Sequence, residues 1–186
     1  EKNEIDILIN NAAFNPPSNS KQYKFSDYSL SKWKKNLEVD LIGSFLTAKY
    51  ACKYFEKYNK GLIINISSIY GVVGPDQNIY QKKNKKYFGF KPIEYSLTKS
   101  ALIGYTKALA SFYKNTNIRV ICLVLGGIET KNMSSYFKKN YKKKTISNRM
   151  ARVGEYNEII NFFCSDKANY INGSCIVVDG GATSIL

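Results

Sequence analysis

The sequence predicts an α/β fold built on a parallel sheet. Short apolar runs rich in Ile and Val alternate along the chain with longer stretches of helical periodicity, the pattern of strands joined by helical crossovers. The apolar content of 44% and charged content of 23% are those of an ordinary globular protein. A chain of 186 residues without internal repeat, long linker or low-complexity tail suits one domain, residues 1–186, able to bury a sizeable core.

Each element follows from its own residues. Ile5 to Asn10 is an apolar strand, and Asn15 to Ser20, with Pro16-Pro17 inside, is a loop. Leu30 to about Tyr58 carries helical spacing through Trp33, Leu37, Leu41, Phe45, Ala48 and Cys52, and Gly61 ends it. Leu62 to Ile66 is a short buried strand. Pro92 suits the first turn of a helix that runs through Ala101, Leu102, Leu109 and Phe112. Ile118 to Val124 is the next strand, Glu155 to Cys164 a short helix, and Cys175 to Val178 the last strand. Four parallel strands result, with Ile5 to Ile9 as an apolar edge of the kind that invites pairing and aggregation.

Composition removes several function classes. Histidine is wholly absent, which excludes Ser-His-Asp triads, Cys-His pairs and histidine metal sites. Cys52, Cys122, Cys164 and Cys175 lie far apart with no CxxC spacing, as expected of buried thiols in a reducing, cytoplasmic setting. No run approaches the ~20 apolar residues of a spanning helix. The net charge of +14 raises nucleic-acid binding as a competitor. Against it, the charge is nearly all lysine, with Arg119, Arg149 and Arg152 alone beside it, whereas base and bidentate phosphate recognition favour arginine. The clusters are Lys82-Lys83-Asn84-Lys85-Lys86 and Lys138-Lys139 with Lys142-Lys143-Lys144. A solvated lysine surface that attracts anionic small molecules is the better reading.

Tyr95-Ser96-Leu97-Thr98-Lys99 carries the chemistry. A tyrosine and a lysine at this spacing share one helix face, with Cβ atoms roughly 5–6 Å apart. A nearby ammonium favours phenolate and lowers the phenol's pKa, which makes tyrosine an acid/base near neutral pH. Ser68, ending the preceding strand, is placed to hold a carbonyl oxygen near that phenol. Each residue also has a plain structural role open to it: Tyr95 a solvated hydroxyl, Lys99 a surface charge, Ser68 a turn-closing hydroxyl.

With these residues the chain resembles the short-chain dehydrogenase/reductase family over nearly its whole length. The motifs stand in the family's order: Asn10-Asn11-Ala12-Ala13, Val39-Asp40-Leu41, Asn65-Ile66-Ser67-Ser68, Tyr95 to Lys99, Gly126-Gly127-Ile128-Glu129-Thr130 and Val178-Asp179-Gly180-Gly181. The resemblance implies a partial Rossmann-like, doubly wound parallel sheet comprising strands four to seven of a seven-stranded fold. It implies NAD or NADP as cofactor, a small carbonyl or alcohol substrate, and a homodimer or homotetramer packed through the Leu30–Tyr58 and Pro92–Tyr113 helices.

It further implies Ser68, Tyr95 and Lys99 as catalytic residues, with Tyr95 and Lys99 also against the nicotinamide ribose. Asn11 and Ala12 are expected on the adenosine side, and Gly127, Ile128 and Thr130 at the nicotinamide end. Asp40 replaces the family's asparagine; it is a candidate fourth member that holds a water, or else a polar residue kinking its helix. The glycine-rich phosphate loop of such folds occurs nowhere in these residues. The chain therefore reads as the C-terminal two-thirds of a longer enzyme.

Ser68 and Tyr95 stand about fourteen residues further apart than is usual in the family. The extra stretch from Pro75 to Lys91 sets Tyr80, Tyr87, Phe88 and Phe90 among lysines, which suits a ring-bearing anion such as a sugar phosphate or nucleotide-sugar. This stretch is similar to oxidoreductases of bacterial surface-glycan and flagellin-modification pathways. The Tyr95–Lys99 spacing disfavours the enoyl-reductase branch, which places six residues between the two. The expected function is NAD(P)-dependent interconversion of a carbonyl and an alcohol; the alternative is a non-catalytic assembly protein or inactive fragment on the same fold.

Overall fold

The computed structural model describes residues 4–14, 24–80 and 90–185. Four parallel strands form one sheet in the order β1 (Ile7–Asn10), β2 (Gly61–Ser68), β3 (Ile118–Leu125), β4 (Cys175–Val178). All eight residues of β2 are buried, as a continuous apolar strand covered on both faces requires. One face of the sheet packs Ile63, Ile118 and Val120 against Ala48, Ala51, Cys52 and Phe55 of helix α2 (Gly43–Tyr58). Leu109 and Ala110 of helix α3 (Ile93–Phe112) join that layer. The other face packs Leu62, Ile64, Ile66, Ile121 and Leu123 against Phe163 of helix α5 (Asn157–Cys164). Helices on both faces give the doubly wound arrangement that the family resemblance implies.

The expected elements recur with shifted ends. The first strand begins at Ile7 rather than Ile5, while β2 and β3 run on to Ser68 and Leu125. Pro92 caps α3 instead of entering its first turn, and α5 begins at Asn157. The long Leu30–Tyr58 helix is three pieces: α1 (Leu30–Asn36), a π-helical turn at Leu37–Ile42, and α2. Asp40 sits within the π turn, fully buried. A further helix, α4 (Ser135–Lys142), lies where no element was expected. The Asn15–Ser20 loop and the Lys82–Lys86, Tyr87 and Phe88 part of the insertion lie outside the described residues.

Among the described residues β1 is an edge strand, with Ile7 and Ile9 about two-fifths exposed. Along α2, Ile42, Phe45, Leu46 and Tyr50 are likewise exposed, on the helix expected to meet a neighbouring subunit. The four cysteines are free; Cys52 and Cys122 are buried as expected, but Cys164 and Cys175 are only half-buried.

A buried polar relay ties the layers together. Thr47 donates to Asn10 Oδ1 at 2.7 Å, Asn10 Nδ2 to Asn65 Oδ1 at 2.8 Å, and Asn65 Nδ2 to Thr106 at 2.9 Å. Every member is satisfied, so the network fixes α2, β1, β2 and α3 against one another at no cost in orphaned groups. Ser67 adds a bond to the Lys99 carbonyl at 2.7 Å. At Gly71 a Cβ would stand 2.8 Å from the Lys99 carbonyl carbon and oxygen, so the turn after β2 presses directly on α3. These contacts set the register between the end of β2 and the first turns of α3.

Candidate active site

Ser68 and Leu125 end their strands in register, so the loops after β2 and β3 open at one edge of the sheet, where parallel α/β sheets hold their ligands. A cleft of about 630 Å³ lies there, walled by Asn11, Ser68, Lys91, Tyr95, Lys99 and the Leu125–Ile128 loop among others. Tyr95 enters in the first turn of α3 and Lys99 one turn later on the same face.

The Lys99 side chain is 4% exposed and donates to the Ile66 carbonyl at 2.9 Å. An ammonium has three donors, so two remain for the cleft. Its nitrogen lies 5.7 Å from the Tyr95 ring centre. Burial pushes the Lys99 pKa down, and the Asp40 carboxylate opposes that shift. Ser68 Oγ accepts the Tyr70 N–H at 3.2 Å and stands with Tyr95 in the wall of the cleft. Burial raises the Tyr95 pKa, Ser68 pulls it back, and Asp40 adds to the rise. The lowering expected from Lys99 is therefore reversed in the free chain, because desolvation of the phenolate outweighs the favourable neighbours.

Asp40 does not stand open to a water. Its carboxylate accepts the Phe14 N–H at 2.6 Å and the Thr98 hydroxyl at 3.0 Å, clamping the loop after β1 to α3 one residue before Lys99. The clamp makes a sharp prediction. In Asp40→Asn the amide oxygen can keep the Phe14 N–H, while the amide nitrogen donates to Thr98, whose hydroxyl already reaches the Tyr95 carbonyl at 3.1 Å. The fold should survive, and both Tyr95 and Lys99 should titrate lower, since Asp40 raises each. Asp40→Ala instead orphans a buried N–H and should cost about 1–3 kcal/mol. Thermal unfolding, with tyrosine absorbance titration of Asp40→Asn beside its Tyr95→Phe double variant, checks both; an unshifted Tyr95 in Asp40→Asn would refute the charge effect.

The remaining expected residues divide. Asn11, Gly127 and Ile128 line the cleft. Ala12 and Thr130 are exposed and stand outside its wall. The bareness of the loop glycines serves the protein's own packing: a Cβ on Gly126 would meet Asp179 at 2.9 Å, and one on Gly127 would meet Met150 at the same distance.

Several cleft residues were not singled out from the sequence. Tyr141 accepts the Gly127 N–H at 2.6 Å, and Tyr156 donates to the Gly126 carbonyl at 3.0 Å; Tyr80, expected beside the substrate, lines the cleft and donates to Tyr70 at 3.0 Å. Phe137 and Tyr141 come from α4, whose one signal was their spacing on a single helix face. Lys91, noted only as part of the insertion, lies over the Tyr95 ring. The second lysine cluster is partly neutralised, with Lys138 and Lys142 on Glu129 and Lys144 on Asp76.

A nicotinamide dinucleotide is the group the motifs imply, and the site fits its nicotinamide–ribose end. The two spare Lys99 donors and the Tyr95 phenol stand in the cleft, whose wall also includes the Gly126–Ile128 loop.

A family model described as enoyl-(acyl carrier protein) reductase matches residues 1–183. The 3-oxoacyl-[acyl-carrier-protein] reductase FabG of Aquifex aeolicus is 34% identical over 180 residues, covering 95% of this chain and 65% of that protein. The human dehydrogenase/reductase SDR family member 4 is 34% identical over 187 residues, covering 98% of this chain and 61% of that protein. The chain thus spans less than two thirds of the length of these curated relatives. The crystal structure of a short chain dehydrogenase from Leptospira borgpetersenii with bound NAD+ superposes with a TM-score of 0.83 at 34% identity, covering 96% of this chain and 65% of that one. With its parallel sheet, its Ser68–Tyr95–Lys99 cleft and a family match over nearly every residue, the chain belongs to the short-chain dehydrogenase/reductase family.

Proposed function

We propose that this chain carries the catalytic part of an oxidoreductase that interconverts a carbonyl and an alcohol with NAD or NADP. The observation that supports this most is the convergence of Ser68, Tyr95 and Lys99 on one cleft. The substrate's carbonyl oxygen accepts hydrogen bonds from the Ser68 hydroxyl and the Tyr95 phenol. In reduction Tyr95 Oη gives its proton to that oxygen, and in oxidation the phenolate takes it back. The Lys99 ammonium steadies the phenolate that reduction leaves behind. A bound dinucleotide would supply or accept the hydride; Lys99 and Tyr95 are the residues that would hold its nicotinamide ribose, with Asn11 toward its adenosine side. A raised Tyr95 pKa keeps the phenol protonated at neutral pH and so suits the reducing direction.

The three-residue gap between Tyr95 and Lys99 supports carbonyl over enoyl chemistry. The aromatic wall of Tyr70, Tyr80 and Phe137 with Lys91 supports a ring-bearing anionic substrate such as a sugar phosphate or nucleotide-sugar. The test is fluorescence titration with NADH and NADPH of this chain beside a version extended upstream, followed by hydride transfer to a panel of carbonyl compounds. Binding with turnover by the extended version is expected. Binding without turnover on any carbonyl, or no binding by either version, would favour a non-catalytic member of the fold.

A further inference from the structure

Lys91 is a second lysine at the reacting centre, outside the Tyr95–Lys99 pair. Its ammonium stands 3.4 Å from the centre of the Tyr95 ring, in cation–π contact with the acid/base itself. Its backbone is held by one side chain: Gln77 Oε1 accepts the Lys91 N–H at 2.8 Å, and Gln77 Nε2 donates to the Lys91 carbonyl at 3.1 Å. This paired amide fixes the start of the Lys91 side chain, and Pro92 follows to stiffen the entry to α3. Burial and the neighbouring Lys99 charge pull the Lys91 pKa down to about 8. A lysine held so has already lost part of its hydration, and an anion that reaches it gains a charge-assisted bond in a poorly screened place.

We infer that Lys91 determines substrate specificity by binding an anionic group, carboxylate or phosphate, carried next to the reacting carbonyl carbon. The position of the charge follows from geometry. The ring beneath the ammonium bears the hydroxyl that binds the carbonyl oxygen, so an anion on Lys91 lies within a few ångströms of that oxygen. A charge at the far end of a long substrate would not reach it. This inference rests on the carbonyl-reductase reading for the carbonyl's place, and its binding test reads out without turnover.

The experiment compares matched probes in the presence of NADH or NADPH. One pair is 2-oxobutanoate and its uncharged isostere 2,3-pentanedione; the other is dihydroxyacetone phosphate and dihydroxyacetone. Calorimetric affinity and KM are measured for the unmodified chain, Lys91→Met and Lys91→Arg. The unmodified chain should prefer one charged probe over its neutral partner by 10-fold or more. Lys91→Met should reduce that preference to below 3-fold, and Lys91→Arg should restore most of it. The pair that shows the preference tells carboxylate from phosphate. No preference in the unmodified chain, or a preference that survives Lys91→Met, overturns the assignment. Loss of the preference in calorimetry, with no turnover even by a version extended upstream, would support an anion site at Lys91 while overturning the carbonyl's place beside it.

Discussion

Tyr95→Phe should lower kcat/KM for carbonyl reduction by about 10²–10⁴-fold, the range in which a positioned general acid contributes. That loss corresponds to roughly 3–5 kcal/mol of transition-state stabilisation. Stability should change by no more than about 1 kcal/mol, because the ring keeps its packing and the hydroxyl that is lost faces the cleft. Affinity for NADH or NADPH should stay within a few-fold, since Lys99 retains its bond to Ile66 and its spare donors. The same variant isolates the phenol's titration: subtracting its absorbance change with pH from that of the unmodified chain leaves the Tyr95 signal among fifteen tyrosines. The midpoint should lie above the ordinary 10.0, because burial is the largest influence and raises it. The sign then follows for activity. Reduction needs the protonated phenol and persists through neutral pH; oxidation needs phenolate and climbs toward alkaline pH. A midpoint below 10.0 would mean that the Lys99 charge, not burial, decides the phenol.

The disagreement over Tyr95 shows what a sequence can and cannot carry. Spacing places Tyr95 and Lys99 on one helix face, and the structure has them there. The direction of a pKa shift depends on competing desolvation and charge, and those depend on what lies around the pair in three dimensions. Asp40 is a second case. Its place in the motif order is legible, but its two bonds run to Phe14 and Thr98, 26 and 58 residues away in the chain. Asn10 and Asn65 stand in the sequence only as members of their motifs, and in the structure they bond each other across β1 and β2 as a buried relay. The position of each strand along the chain was legible because each is a compact apolar run. Helix α4 was not, since its polar, lysine-rich Ser135–Lys142 sequence hides one aromatic face.

Lys91 illustrates the opposite failure, a residue visible only as charge. In a chain with 28 basic residues, one more lysine before a proline carries no signal. Its meaning comes from Gln77, fourteen residues earlier, whose amide pins its backbone, and from the Tyr95 ring beneath it.

The largest stability effect is expected where α2 turns into β2. Asn59, with φ 46°, reverses the chain, and Gly61 then starts the strand directly beneath the fully buried Phe55 ring. A Cβ on Gly61 would stand 2.2 Å from the Phe55 Cγ and 2.5 Å from both Cδ atoms. Gly61 has no positive φ, so glycine is needed there for space and not for backbone conformation. Gly61→Ala should therefore cost about 1–3 kcal/mol through overpacking. Phe55→Ala should cost about 3–5 kcal/mol through the cavity it leaves among Ala51, Ile63 and Val120. The two cannot add, because removing the ring removes the clash. The double variant should unfold close to Phe55→Ala alone in urea, with a coupling of about 1–3 kcal/mol. Additive losses would place the need for Gly61 elsewhere than the ring. β2 is paired to β1 and β3 on both sides, and its far end is tied to α3 through Ser67. The strain should consequently stay at the Gly61 end, leaving Ser68 beside Tyr95, so that Gly61→Ala lowers the unfolding midpoint while kcat at low temperature holds within about two-fold.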